Sequence, residues 1–264
     1  MDADESKGGD RREGVGRRWL MAGGLALLAG CADQGALDGL SSGKLGRVDR
    51  AISGDTLQLE DGEEVHLAGV EAPRRDQPYA DEAASALARL AEGKQVQLMH
   101  GGARIDPFGR SVAHVRTVEG RLWLEGALID AGSVRVRTFA DNRALARLML
   151  THEAAARGGK RGLWALDNYR VRLPNETTDA HGLTLVEGRV MRTGRSGGGD
   201  LYLDFDGDWR SNFSAEIPRS ALKDFRSAGI DPLELQGRLV RIRGGVRGLR
   251  LTLDHPEQVE RLRG

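Results

Sequence analysis

Short runs in which hydrophobic and polar residues alternate dominate the chain after residue 44. A period of two is typical of strands buried on one face, and the Gly- and Asp-containing pairs between the runs are turn signals. The first group comprises LGRVDRAI, DTLQLED, EEVHLAGV, KQVQLMH and RSVAHVRTV. The second comprises LTLVEGRVMRTG, DLYLDFDG, SNFSAEIP, GRLVRIRGG and GLRLTLDHP. We predict a small antiparallel barrel for each group, and the OB type for the second, because closing a short sheet removes its exposed edges.

Three segments show a helical pattern instead. ADEAASALARLAEG ends on a glycine stop, and in ADNRALARLMLTHEAAARGG the residues Leu145, Leu148 and Met149 recur at i, i+3 and i+4. A third helix is predicted at RSALKDFRSAG, before the fourth strand of the second group. The predicted fold class is therefore mainly β with packed helices (α+β).

A change of composition divides the two strand groups. The stretch ALDNYRVRLPNETTDAHG is polar and contains a proline, which is typical of a connection between domains. We predict an export segment at 1–31, a linker at 32–43, a first domain at 44–165, a second linker at 166–182 and a second domain at 183–264.

Composition restricts the kinds of partner that the protein as a whole can attract. Lys+Arg and Asp+Glu both number 39, so the net charge is zero and no global field attracts nucleic acid or anionic lipid. Any site for a polyanion must therefore be local. With 39% hydrophobic residues, 37 Gly and no apolar run of transmembrane length, the chain suits a turn-rich globular protein.

The N-terminal segment GRRWLMAGGLALLAGC has the order of an export signal. Paired arginines precede a short apolar stretch, which ends at small residues. Leu-Ala-Gly-Cys resembles the lipobox of bacterial lipoproteins, in which the cysteine is lipidated. Cys31 is the only cysteine of the chain, and we predict that it anchors an exported envelope protein to a membrane on the periplasmic side. The alternative is a buried free cysteine on an N-terminal helix.

The arginine pair also resembles part of a twin-arginine signal. The match is partial, and the sequence does not decide between the general secretory and twin-arginine routes, or between the inner and outer membrane.

Residues 44–165 contain several motifs in a fixed order. VDRAISGDTLQLEDGEEVHLAGVEAP runs as a strand, a Gly-Asp-Thr turn, two strands and Ala-Pro. QPYADEAASALARL, DPFGRSVAHV, GALIDAGSVRV and GLW then follow. These motifs and their order resemble the staphylococcal nuclease family. The resemblance implies a five-stranded OB barrel with packed helices, in agreement with the strand count.

The resemblance also implies a chemistry. In that family a Ca²⁺ ion, two arginines and a glutamate cleave phosphodiester bonds of DNA and RNA. The cation takes oxygen ligands, the arginines hold the transition state and the glutamate activates water. By position, Asp55 and Glu71 correspond to the metal carboxylates and Ala72 to the residue that supplies a backbone carbonyl. Arg110 corresponds to one catalytic arginine.

Two positions depart from the family pattern. His66 stands at the place of the other arginine, and an imidazole cannot form the planar two-point contact of a guanidinium. Arg74 stands at the place of the glutamate and reverses its charge; loss of a general base commonly costs about 10²- to 10⁴-fold in rate. Asp76, Asp81 and Glu82 are alternative acids, but they lie beyond the turn.

The second domain offers weaker signals. Aromatic residues lie among charged ones, and the arginines of GRLVRIRGGVRGLRL include Arg241 and Arg243. OB folds bind single strands by stacking bases on aromatic side chains in a basic groove, and we predict Arg241 and Arg243, with Arg74 and Arg110, as contacts to nucleic acid. The alternative is that the aromatic residues form the core and the arginines a solvated face.

Three functions remain open from the sequence. The first is a Ca²⁺-dependent nuclease of the cell envelope that acts on DNA or RNA through a partly altered site. The second is a module derived from a nuclease that binds nucleic acid or another anion without cutting it. The third is a structural lipoprotein.

Overall fold

Strands and helices alternate in the first half of the chain. The structure, a computed structural model, describes residues 35–205 and 213–263. The strands are β1 (Ser41–Ala51), β2 (Thr56–Leu59), β3 (Glu64–Leu67), β4 (Val70–Glu71), β5 (Gln95–His100), β6 (Ser111–Thr117) and β7 (Arg135–Val136). The helices are α1 (Ala80–Ala91), α2 (Leu124–Asp130) and α3 (Ala146–Gly158). The predicted export segment and Cys31 lie outside the described residues.

Five of these strands close into a barrel in the order β1-β2-β3-β6-β5. Its pairs are antiparallel except β3 with β6, which are parallel. The alternating hydrophobic side chains point inward, and Leu57, Val65, Leu98 and Val115 are fully buried. The predicted five-stranded barrel with packed helices is therefore confirmed.

The helices pack against the barrel with the hydrophobic faces that their periodicity predicted. In α1 the buried residues are Ala83, Leu87 and Ala91, which are four apart and lie on one face. The second predicted helix pattern, ADNRALARLMLTHEAAARGG, begins later than expected, at Ala146 rather than residue 140. The carbonyl of Asp141 accepts a hydrogen bond from the Ala103 amide at 2.9 Å, so this segment forms a loop contact before the helix starts.

A second sheet follows. Its strands are β8 (Gly182–Arg189), β9 (Arg192–Arg195), β10 (Leu201–Asp204), β11 (Ser214–Ile217), β12 (Leu239–Arg247), β13 (Arg250–Thr252) and β14 (Val259–Arg261), and α4 (Leu222–Ser227) lies between β11 and β12. The strand order is β14-β12-β13-β11-β10-β9, and β8 pairs with β12. Because β8 and β9 are separated by only two residues, they act as one bent strand that joins both edges of the sheet.

The two sheets share one topology. In each, a long or bent first strand pairs with both the second and the fourth strand, a helix precedes the fourth strand, and the third and fifth strands are parallel. The second core contains Phe205 and Phe213, as the alternative interpretation of the aromatic residues expected. The structure agrees with the predicted α+β class and a second OB-like unit.

The segments predicted as linkers pack against the barrels. Residues 35–38 form a helical turn whose Leu37 is fully buried, and β1 starts three residues before the predicted domain start. Between the barrels, three short 3-10 helices occupy Gly162–Ala165, Asp167–Tyr169 and Pro174–Glu176, and the Tyr169 side chain is buried. Over residues 35–205 and 213–263, no helix has the length and apolar character needed to cross a membrane.

A buried ion-pair network joins the two barrels, and it corrects the prediction for β12. Arg243 is only 2% exposed; its Nη2 donates to Glu153 of α3 and to Glu260 of β14, both at 2.7 Å. Arg241 is mostly buried and pairs with Glu187 and Glu260. The prediction that Arg243 contacts nucleic acid is wrong, because its guanidinium group is buried in the interface and paired with two carboxylates. Arg241 is likewise paired with two carboxylates.

Candidate functional site

One end of the first barrel gathers most of the predicted site residues. Thr56 of β2 lies opposite His66 of β3, and β3 runs parallel to β6, which Arg110 immediately precedes. Asp55 immediately precedes β2. Barrel pairing therefore brings three separate sequence motifs to one site.

Asp55 holds the loop that follows β4 against the barrel by hydrogen bonds. Its Oδ2 accepts a hydrogen bond from the Ala72 amide at 2.8 Å, and its Oδ1 accepts from the Ser53 and Thr56 hydroxyls at 2.7 and 3.1 Å. Gly54 permits this close approach, since a Cβ there would lie 2.8 Å from the Ala72 Cβ. Both carboxylate oxygens therefore already hold protein donors.

Glu71 is paired with two arginines. Strands β4 and β7 are antiparallel with Glu71 opposite Arg135. The Arg135 Nη2 lies 3.2 Å from Oε1, and the Arg137 Nη1 contacts Oε2. Residues two apart on a strand lie on the same face, so both guanidinium groups reach the same carboxylate. The negative charge of Glu71 is compensated within the protein.

These residues do not fit a Ca²⁺ site. Calcium takes six to eight oxygen ligands and favours carboxylates with free charge. Among the described residues, no group of three or more Asp, Glu, His or Cys side chains could hold a metal ion. A cation beside Glu71 would also meet the positive charges of Arg135 and Arg137. The contact that the structure shows for Ala72 is made by its amide, not its carbonyl.

Arg110 lies at the rim of the same site. Its Nε donates to Asp106 Oδ2 at 2.7 Å, and its Nη1 lies 3.5 Å from the Thr56 hydroxyl. Although burial opposes ionisation, hydrogen bonds from the Arg110 amide and side chain keep the pKa of Asp106 below its usual value. The guanidinium is thus held in a fixed position and remains partly exposed.

His66 is uncharged near neutral pH. Burial is the largest cause that lowers its pKa, and the nearby Arg110 and Arg137 lower it further, against Asp55 and Asp106. Its Nδ1 lies 3.4 Å from the Thr56 hydroxyl. His66 therefore cannot replace the phosphate-binding charge of an arginine.

Arg74 is exposed and reaches the second barrel. Its amide donates to the Gln77 side chain at 2.9 Å, and its Nη2 lies 3.2 Å from the position of a Cβ on Gly182, the first residue of β8. The alternative acids Asp76, Asp81 and Glu82 are exposed. For the part of the chain that is described, none of these acids contacts Asp55 or Arg110.

Two Arg–Phe pairs extend the rim beyond the predicted residues. The Arg110 Cζ lies 5.5 Å from the Phe108 ring centre, and the Arg137 Cζ lies 5.2 Å from that of Phe139. Phe108 is 84% exposed and Phe139 is 44% exposed. Sequence reasoning missed Arg135, Arg137 and both rings, although the alternation in RVRTF could have placed its arginines on one strand face.

Comparison with known proteins supports a nuclease-like domain in this part of the chain. The family model described as staphylococcal nuclease homologue matches residues 64–166. Residues 64–166 form a staphylococcal nuclease homologue domain. No curated protein matches the chain. The matched segment contains His66, Glu71, Arg74 and Arg110, whereas Asp55 and the first two barrel strands precede it. The family therefore supports a nuclease-like domain, and the geometry of these four residues describes its altered site.

Proposed function

We propose that the nuclease homologue domain binds single-stranded nucleic acid without cutting it. The observation that carries the proposal is the pairing of Glu71 with both Arg135 and Arg137. This pairing replaces a cation by protein charge. With Arg74 at the glutamate position, the acid that contacts Arg110 among the described residues is Asp106, and its carboxylate is held by the Arg110 amide and guanidinium group.

The rim supplies what non-catalytic binding requires. Single-stranded nucleic acid is held by arginines that contact phosphates and by aromatic rings on which bases stack. Arg110 with Phe108 and Arg137 with Phe139 each place a guanidinium group beside an exposed ring. Each guanidinium group also pairs with one carboxylate, Asp106 or Glu71, which a phosphate would have to displace or share. Affinity of this kind needs no metal, since arginines contact phosphate directly. It is expected to fall as salt concentration rises.

The proposed location is the cell envelope. Our proposal rests on the export-like N-terminus and on Cys31 in its lipobox-like context. A lipid on Cys31 would place the first barrel near the membrane, because only nine residues separate Cys31 from β1. Mass spectrometry of the protein from membranes tests this: a lipid-modified cysteine at the mature N-terminus is expected. An unmodified, uncleaved N-terminus contradicts it.

The central test uses the chain from residue 31 onward with Cys31→Ser. Fluorescence anisotropy measures binding to labelled single-stranded DNA and RNA in Ca²⁺, Mg²⁺ or chelator, and gels measure cleavage of the same samples. We expect equal binding in all three conditions and intact strands. Phe108→Ala should weaken binding about tenfold, since one stacked base contributes about 1–3 kcal/mol. Arg226→Ala, on α4 and away from this rim, is the control.

Metal-dependent cleavage that disappears in Asp55→Ala and Arg110→Ala would refute the binding-only proposal. Phosphodiester hydrolysis is the second candidate, and one observation favours it: His66 stays uncharged within the site and can accept a proton. In that case cleavage without metal is expected, and His66→Gln should abolish it while binding persists.

A further inference from the structure

A narrow polar cleft lies between the two barrels, beside the nuclease-derived site. Its walls come from the loop after β4, from β7, from the segment after the first barrel and from the start of β8. The side chains that matter are Gln77, Arg135, Tyr169, Arg170, Arg172 and His181. Three arginines and a histidine thus line the cleft, while no Asp or Glu of the described residues does.

Arg135 is the buried centre of this cleft. The residue is 6% exposed; its Nη1 donates to the Leu183 carbonyl at 2.7 Å and its Nη2 faces Glu71. Its Nε is buried and has no hydrogen-bond partner in the described part of the chain. A buried donor without a partner is costly and calls for an explanation such as a bound ion.

The surroundings of the Arg135 charge also favour a bound anion. Burial is the largest influence on its pKa and lowers it, and the opposing effect of Glu71 does not fully compensate. The Tyr169 ring lies 5.0 Å from the Arg135 Cζ, and its hydroxyl is bound to the Pro78 carbonyl. The position of Arg135 is therefore fixed between an aromatic face and the start of β8.

The acids near the cleft hold its outer arginines in place. Arg172 Nη1 donates to Asp179 and to the Glu176 carbonyl, both at 2.7 Å. Arg170 pairs with Glu176 and Asp167. These carboxylates do not line the cleft, so its charged lining consists of the three arginines and His181, while each arginine is held by an acid beside it.

We propose that this cleft binds a phosphate monoester, and that its source is the terminal phosphate of a nucleic-acid strand. Guanidinium forks match the oxygens of phosphate, and Arg135 from one wall with Arg170 and Arg172 from another suits a tetrahedral dianion. The cleft has a volume of about 60 Å³, which suits one phosphate group rather than a run of nucleotides. The choice of strand end rests on the proposed function, since Arg74 connects the nuclease-derived rim to β8. Free inorganic phosphate shares the chemistry and is the alternative source.

The experiment uses the chain from residue 31 onward with Cys31→Ser, in chelator. Unlabelled oligonucleotides with a 5′-phosphate, a 3′-phosphate or neither compete with a labelled single strand, and calorimetry measures inorganic phosphate directly. We expect one phosphorylated strand to compete about tenfold better. Arg172→Gln should remove this advantage, and Arg226→Gln, which does not line the cleft, should preserve it. Arg135→Gln should do the same as Arg172→Gln wherever thermal melting shows that it folds.

The outcomes separate this inference from the proposed function. Inorganic phosphate that binds through Arg172, without preference for phosphorylated strands, supports the site and rejects the strand end. An advantage that Arg172→Gln leaves intact overturns the location, and the absence of both effects overturns the site. If unphosphorylated strands fail to bind but phosphate binds through Arg172, the proposed function fails and the phosphate site survives.

Discussion

Replacing Arg243 by methionine should destabilise the protein strongly. Arg243 is buried between the barrels and donates to two carboxylates and to the Val136 carbonyl, the last at 3.1 Å. Hydrogen bonds to charged groups contribute about 1.5–3 kcal/mol each and one to a carbonyl about 0.5–1.5 kcal/mol. Removing one partner of a buried ion pair costs about 3–5 kcal/mol, because the remaining charge stays buried. We expect a loss of about 3–5 kcal/mol for Arg243→Met.

The buried carboxylate of Glu153 should account for much of this loss. Glu153 is fully buried, and its Oε1 accepts the Val136 amide at 2.7 Å. In the double variant Arg243→Met, Glu153→Gln, the amide side chain still accepts that hydrogen bond, and the buried charge that Arg157 alone would have to balance is gone. We therefore expect the double variant to be more stable than Arg243→Met alone by about 1–3 kcal/mol.

Urea denaturation followed by fluorescence and far-UV circular dichroism measures these free energies. Arg241→Met is the matched control: it lies two residues away on the same strand and also pairs with two carboxylates, but it is less buried. Its expected cost is about 1 kcal/mol, as for partly exposed pairs. A loss below about 1 kcal/mol in Arg243→Met, or a double variant less stable than the single one, would refute the reasoning.

Three further predictions concern pH, the site and the backbone. Burial opposes ionisation of Glu260, but Arg243 and its neighbours hold the pKa of that carboxyl below the ordinary 4.5. The contribution of Glu260 to stability is complete above pH 4.5 and is lost as pH falls through the lower folded value. Glu260→Gln should therefore flatten the decline of unfolding free energy in acid, and an unchanged slope would contradict this. Glu71→Gln should tighten binding of single-stranded DNA about three- to tenfold in anisotropy assays, because Arg137 is freed for phosphate; weaker binding by a folded variant contradicts it. Gly132 has φ +67°, and a Cβ there would lie 2.1 Å from a backbone carbonyl oxygen, so Gly132→Ala should lower the unfolding free energy by at least about 1–3 kcal/mol in urea titrations, whereas a neutral result contradicts it.

Periodicity predicted the parts of the fold that depend on local pattern. Alternation located the strands of both sheets, and the four-residue spacing in α1 identified its buried face. The start of α3 was misplaced because a loop contact of Asp141 competes with helix formation at a point where the local pattern is helical. The resemblance to the nuclease family predicted at which end of the barrel the site lies. Periodicity alone does not predict this.

Long-range pairing explains what the sequence did not predict. Glu71 was predicted as a carboxylate of the site, but its partners are Arg135 of β7 and Arg137 just after it, 64 and 66 residues further along the chain. The alternation of β12 correctly separates Val240 and Ile242 from Arg241 and Arg243, yet nothing local tells whether the arginine face meets water or another domain. In the structure Arg243 is buried and pairs with Glu153 of α3, and Arg241 pairs with Glu187 and Glu260.

The interface and the altered site share one strand. Within β7, Arg135 contacts Glu71, while the next residue, Val136, donates its amide to Glu153 and accepts Arg243 on its carbonyl. The second barrel therefore fixes the backbone from which two arginines reach Glu71. Restoring the family residues at His66 and Arg74 alone would leave Glu71 in this double ion pair. The contact between the barrels thus acts on the charge of Glu71 through the two residues that flank Val136.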